Sequence, residues 1–243
     1  MYDTPKFSLA GDQAIVMAFG DGISPEINRQ VHNMVQAIQN AKVPGVSELV
    51  PTYRSLLIYY DPMKTSVAKL QDTLEKLSSD IENLQLRRPN VVQIPVLYGG
   101  EHGPDLEFVA KHAGVPEQEV IDVHSSATYL VYAMGFSPGF PYLGGLPEAL
   151  STPRLTSPRI SIPAGSVGIA ENQTGIYPVA SPGGWQLIGR TPLNLFDPNF
   201  EPPTLLDAGD YVRFSLLRTP QEYQDIADLI KKGEYEVAIE QVE

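Results

Sequence analysis

The sequence predicts an α+β fold of two domains: a ferredoxin-like split βαβ domain over residues 1–88 and a β-rich domain over residues 89–243. Three observations carry this. The opening stretch alternates apolar runs of strand and helix period in the order β-α-β-β-α-β. Glycine and proline are sparse at first and dense later: residues 1–90 hold 4 Gly and 6 Pro, residues 91–243 hold 16 of each. The densest stretch, 135–203, is Gly or Pro at 22 of 69 positions, yet it is rich in Ile, Phe and Tyr and poor in charge. An apolar, aromatic, weakly charged stretch is not a solvated tail. It predicts ordered loops and short strands over a core.

Taken in order, residues 14–19 are the first expected strand. Ser24 is a suitable N-cap, with Pro25 at the first helical position. Ile27, Val31, Met34, Val35 and Ile38 then fall on one helical face. Residues 46–50 and 53–60 read as strands, with a break or edge at Pro51. Ser66 opens a second helix whose stripe is Val67, Leu70, Leu74, Leu77 and Ile81, and residues 91–97 supply the last strand of the pattern. The second domain begins near Pro89. Residues 104–113 and 116–126 read as short helices, each begun by proline, and 129–134 as a strand. The rest, to about Leu217, reads as short strands between turn signals, most simply a closed or folded sheet, before a final helix at 221–230.

The composition excludes several classes of function. Of 243 residues, 42% are apolar and 19% charged, enough for a real core. No run approaches the roughly 20 apolar residues of a membrane span. Asp3 stands where the positive region of a signal peptide should be, so a cytoplasmic location is expected and no membrane partner. The absence of cysteine removes disulfides, thiolate catalysis, Cys-ligated zinc and iron–sulfur clusters. A formal charge of −12 repels phosphate backbones, and the densest basic pairs are only Arg87–Arg88 and Lys231–Lys232, so no nucleic acid is expected. Between Lys111 and Lys231 every positive charge is arginine: Arg154, Arg159, Arg190, Arg213 and Arg218. Arginine offers a planar fork suited to carboxylate or phosphate.

Several stretches look chemical. Gly135-Phe136-Ser137-Pro138-Gly139 satisfies G-x-S-x-G, the pattern of a serine nucleophile elbow. That mechanism needs the N–H of the residue after serine, and Pro138 has none, so the motif is rejected. The stretch reads either as a turn closing a strand or as a rigid loop lining a pocket, with Phe136, Phe140 and Tyr142 as walls. None of His32, His102, His112 and His124 makes a close ligand pair, and no metal site is expected. His124, just before the strand that leads into the aromatic loop, reads as a hydrogen-bonded core histidine or as a general acid/base.

Ala164-Gly165-Ser166-Val167-Gly168 is no P-loop, since no Gly-Lys-Ser/Thr follows. It reads as a tight turn or as a backbone cradle for an anion through Gly165, Ser166 and Gly168. Glu171 is the one acid between Pro153 and Leu195; beside Gln173, Thr174 and Tyr177 it reads as a base, a hydrogen-bonding partner or a solvated residue. Trp185, the only tryptophan, follows Gly183-Gly184 and reads as core or as a pocket cover.

Four motifs in order resemble the allophanate hydrolase subunit 1 family, whose members are carboxyltransferase-like. They are 135–143 (GFSPGFPYL), 164–170 (AGSVGIA), 173–178 (QTGIYP) and 181–192 (SPGGWQLIGRTP). Gly11-Asp12-Gln13-Ala14 and the segment 50–56 (VPTYRSL) resemble it as well. The family includes B subunits of bacterial 5-oxoprolinases and the KipI-type inhibitors of sporulation histidine kinases. The resemblance covers nearly the whole chain. It implies a small α/β domain followed by a cyclophilin-like β-barrel.

It also implies one subunit of an enzyme that uses ATP to hydrolyse 5-oxo-L-proline to L-glutamate, inactive alone and working with subunits A and C. No ATP-phosphate motif is present, so no cofactor is expected on this chain by itself and ATP is used by the assembly. The inhibitor branch implies instead a histidine kinase as partner, its dimerisation and phosphotransfer helices held in an apolar groove. On the enzyme reading, the expected catalytic pair is His124 and Glu171, and Arg159 and Arg190 are expected to bind a substrate carboxylate. Phe136, Phe140, Tyr142 and Trp185 are the expected walls, with Gln173 and Tyr177 beside them and Gly165, Ser166 and Gly168 as the anion cradle.

Overall fold

The computed structural model describes residues 1–80 and 88–241. Ile81 of the second helical stripe and Arg87 lie outside the described residues. The chain divides into two compact units, Met1–Arg88 and Pro89–Glu243.

The first unit contains β1 (Lys6–Leu9), β2 (Ala14–Ala18), α1 (Pro25–Ala41), β3 (Val46–Pro51), β4 (Ser55–Tyr60) and α2 (Val67–Ser79). Its sheet is antiparallel throughout, in the order β1-β2-β4-β3. The connection from β2 through α1 to β3 therefore spans β4, which is the split βαβ arrangement. Ser24 caps α1, its hydroxyl accepting from the Ile27 N–H at 3.3 Å, and Ser66 caps α2 through Lys69 at 3.4 Å. Such a cap contributes about 1 kcal/mol by satisfying an otherwise orphaned donor. Ile27, Val31, Met34 and Ile38 of α1, with Leu70 and Leu74 of α2, bury against Ile15, Met17, Leu56 and Ile58 of the sheet.

The expected strand at 91–97 does not complete this sheet. The N-terminal β1 takes the edge instead, pairing Lys6 with Ala18 and Leu9 with Ile15. Four largely exposed residues left little apolar pattern to read there.

The second unit runs β5 (Asn90–Tyr98), α3 (Leu106–Ala113), α4 (Glu117–Ser126), β6 (Thr128–Met134), β7 (Pro141–Gly144), a 3-10 turn at Glu148–Leu150, β8 (Arg159–Ile162), β9 (Ser166–Ala170) and β10 (Gln173–Ile176). It continues with β11 (Ser181–Gly183), β12 (Gln186–Arg190), β13 (Tyr211–Leu217), α5 (Pro220–Lys232) and β14 (Ile239–Gln241). Strands β12-β9-β10-β7-β6-β13-β5 follow one another and close on themselves, because Gly189 pairs with Tyr98 and Arg190 with Leu97. The result is a seven-stranded barrel.

β14 extends the sheet beside the first residues of β5, and β8 with β11 forms a separate two-stranded ribbon. Among the described strands only the β5–β13 pair is parallel. Val92, Ile94, Val131, Leu143, Val167, Ile169, Ile176, Ile188, Val212 and Phe214 fill the barrel, and Val109 and Val120 bring α3 and α4 onto it. The Gly/Pro-rich stretch is ordered, holding β7 to β12. Among the described residues no helix is long and apolar enough to cross a membrane.

Candidate functional site

Every residue expected in the site lies in the second unit. Phe140 is the hub of an aromatic cluster. Its ring meets Phe136 at 5.5 Å, Tyr142 at 5.2 Å, Tyr177 at 5.5 Å and Trp185 at 5.7 Å between centroids, each edge to face. Such pairs contribute about 0.5–1.5 kcal/mol each beyond burial. A Cβ on Gly175 would stand 2.9 Å from Trp185 and 3.2 Å from the Phe140 ring, so β10 needs glycine for these rings to lie across it.

The cluster is filled by its own members: Phe140, Tyr177 and Trp185 are buried. They are therefore not the walls of an open groove. Phe136 alone is open, 67% exposed, and its backbone is left-handed at φ 68°. Burial raises the Tyr177 phenol, opposed by a backbone hydrogen bond from Trp185 and by the charges of Arg154 and Arg159.

Arg159 begins β8 and Arg190 ends β12. Arg159 donates to Asp105 at 2.7 Å and to the Trp185 carbonyl at 3.4 Å. The second Asp105 oxygen accepts from the Leu187 N–H at 2.6 Å. The fork that the sequence offers to a substrate carboxylate thus already holds an internal one. Arg190 is different. Its Nε donates to the Ala164 carbonyl at 2.8 Å, and its two terminal nitrogens have no hydrogen bond or ion pair among the described residues.

The expected cradle is largely spent. The Gly165 N–H donates to the Tyr177 carbonyl at 2.7 Å and the Ser166 N–H to Pro163 at 3.3 Å, while Gly168 sits in the ladder between β10 and β12. Donors already satisfied by the barrel cannot hold an anion.

His124 and Glu171 do not pair. His124 is fully buried on α4, stacked on Phe214 at 4.6 Å, and both ring nitrogens are taken. Thr174 gives its hydroxyl proton to the Gly168 carbonyl at 3.0 Å, so its oxygen accepts from His124 Nε2 at 2.9 Å. That leaves His124 Nδ1 to accept from the Tyr98 hydroxyl at 2.8 Å. Burial lowers the His124 pKa to about 3, so the ring is a neutral relay between barrel and helix at ordinary pH. Glu171 stands exposed in the β9–β10 turn, left-handed at φ 53°, tied by its backbone to Thr152. Its carboxylate has no partner among the described residues. Gln173 opens β10 beside it.

Sequence reasoning missed Asp105, Tyr98 and Tyr223, and gave no role of their own to Thr174 and His102. His102 packs on the Tyr223 ring at 4.7 Å, near Arg190. Asp105 carried a signal, an acid directly before a helix; the others meet their partners only through the fold. Among the described residues no three His, Asp or Glu side chains are grouped to hold a metal.

Residues 5–206 match the family model of the carboxyltransferase domain, subdomain C and D. The chain is 47% identical over 215 residues to the 5-oxoprolinase B subunit of Bacillus subtilis, covering 84% of this chain and 89% of that protein. It is 42% identical over 208 residues to the 5-oxoprolinase B subunit of Escherichia coli O157:H7, covering 85% and 93%. Among solved structures, TTHA0988 superposes with a TM-score of 0.75 at 40% identity over 86% of this chain; that match spans only 40% of the longer TTHA0988 chain.

Proposed function

The chain belongs to the family of carboxyltransferase subdomains C and D, and from that premise we propose that it is the B-type subunit of a multisubunit 5-oxoprolinase. The observation that carries this is the near full-length match, at 42–47% identity, to proteins of that name. The assembly would use ATP to open the lactam of 5-oxo-L-proline and give L-glutamate, in the cytoplasm, with an A-type and a C-type subunit as partners. A lactam is a poor electrophile. Transfer of a phosphoryl group from ATP to its amide oxygen lets water add at that carbon; the C–N bond then opens, the nitrogen leaving as the amine, and a second water hydrolyses the resulting acyl phosphate to the carboxylate and phosphate.

The backbone donors of Gly165 and Ser166 are already engaged in the barrel, so ATP is assigned to a partner. Arg190 is the group suited to the substrate carboxylate, since its terminal nitrogens are unengaged. Arg159 acts as a clamp through Asp105. His124 supports the barrel wall rather than moving a proton, because its ring is buried, neutral and doubly hydrogen-bonded. Phe136 is the exposed member of the aromatic cluster and the natural point of contact for a partner chain.

Affinity capture of the tagged chain from its own cells tests the assembly. Two co-purifying chains of the A and C type are expected. Capture of a histidine kinase in their place would make the chain a regulator.

A further inference from the structure

We propose that Arg190 and His102, walled by Tyr223, form a site for a small molecule bearing a single carboxylate. Three elements bring them together. Arg190 ends β12, and its Nε is fixed on the Ala164 carbonyl at 2.8 Å. His102 sits in the turn after β5, where the His102 and Gly103 N–H groups both fold back on the Gly99 carbonyl, at 3.1 and 2.9 Å. Tyr223, on the first turn of α5, lies edge-on to the His102 ring, and its hydroxyl donates to the Thr191 carbonyl at 3.3 Å.

The unused hydrogen-bonding capacity is what marks the site. The two terminal nitrogens of Arg190 and both ring nitrogens of His102 make no hydrogen bond among the described residues, although both side chains are partly buried. A half-buried guanidinium with most of its donors idle is an incomplete arrangement, and a planar carboxylate completes it through the fork.

The charge balance selects the ligand. Arg190 supplies one positive charge. Glu101, next to His102, makes no ion pair with Arg190 and adds a negative field. A phosphate dianion would meet one guanidinium and the Glu101 field with twice the charge, so a singly charged carboxylate is favoured over it. The same field makes binding proton-linked. Burial and the Arg190 charge lower the His102 pKa, with Glu101 opposing, so the free site holds a neutral ring. Tyr223, the group facing it from α5, is itself held up by burial and stays protonated. A bound carboxylate screens Arg190 and favours the imidazolium, so binding raises the His102 midpoint and tightens as pH falls through it.

Assigning 5-oxo-L-proline as the occupant rests on the function proposed above; the carboxylate site does not. The experiment is a proton NMR titration of the full chain, following the His102 ring signal, assigned by its loss in His102→Gln. Acetate, 5-oxo-L-proline, neutral 2-pyrrolidinone and inorganic phosphate are compared at ionic strength matched with chloride. Acetate and 5-oxo-L-proline should raise the His102 midpoint, with 5-oxo-L-proline the tighter and 2-pyrrolidinone silent.

Arg190→Gln should weaken both by roughly tenfold or more, the scale of one lost charge-assisted pair. Arg190→Lys, which keeps the charge without the fork, should fall between, and native Trp185 emission in both variants confirms folding. No Arg190-dependent shift with either carboxylate overturns the site, as does 2-pyrrolidinone matching 5-oxo-L-proline or phosphate binding more tightly than acetate. A shift with acetate but none with 5-oxo-L-proline leaves the carboxylate site standing and counts against 5-oxoproline as substrate.

Discussion

Asp105 and Arg159 form a clamp between the start of α3 and the β8 strand: one carboxylate oxygen takes the guanidinium at 2.7 Å, the other takes the Leu187 N–H at 2.6 Å. Both side chains are shielded, Arg159 at 30% and Asp105 at 12% exposure. Asp105→Asn weakens the ion pair and leaves the geometry; Asp105→Ala strands both donors. The expected loss is about 1–3 kcal/mol for alanine and less for asparagine, after allowance for the partly exposed arginine. Thermal melts of the two variants check it.

His124 ties stability to pH. Its folded pKa, about 3, lies below the ordinary histidine value of 6.5. Below pH 6.5 the unfolded chain takes up a proton that the folded ring refuses, so stability is complete above that pH and falls as pH drops. The slope is about 1.4 kcal/mol per pH unit while only the unfolded state is protonated. Melting temperature against pH should flatten in this window in His124→Gln, which starts from a lower plateau because Tyr98 and Thr174 lose their partner. An equal slope in wild type and variant contradicts the assignment.

Phe136 holds an exposed ring on left-handed backbone. The partner-contact role proposed for Phe136 separates its effect on assembly from its effect on folding. Phe136→Gly should leave the melting temperature unchanged or raise stability by about 1 kcal/mol, since glycine relieves the strain. Recovery of partner chains in affinity capture should drop. A variant that melts early yet captures partners normally gives Phe136 a purely internal role.

Gly175 lets Trp185 and Phe140 lie across β10. Gly175→Ala places a methyl against the Trp185 and Phe140 rings and should cost about 1–3 kcal/mol. Trp185 is the only tryptophan, so its emission reports the cluster alone. A red shift toward that of a wetter indole is expected in the folded variant.

Much of the fold was legible in local pattern. Ser24, Pro25 and the stripe from Ile27 to Ile38 specify α1 without reference to anything distant, and α1 begins where they place it. Strand pairing was not legible. The apolar run of β5 reads as a strand, but nothing in its period says that it pairs with β13 rather than completing the first sheet. The aromatic cluster was half legible: aromatic residues spaced by Gly and Pro between Phe136 and Trp185 announce a packed unit, but not that they fill one another's space. Spare hydrogen-bonding capacity was the least legible. Arg159 and Arg190 look alike in sequence, and only the fold brings Asp105 to one and leaves the other open.

The most direct test is reconstitution. The chain is combined with the partner chains captured from its own cells, and L-glutamate release from 5-oxo-L-proline is followed with and without ATP. A B-type subunit predicts ATP-dependent release that vanishes when this chain is left out and returns when it is added back. Undiminished release without it, or an assembly that contains a histidine kinase and forms no glutamate, would contradict that role.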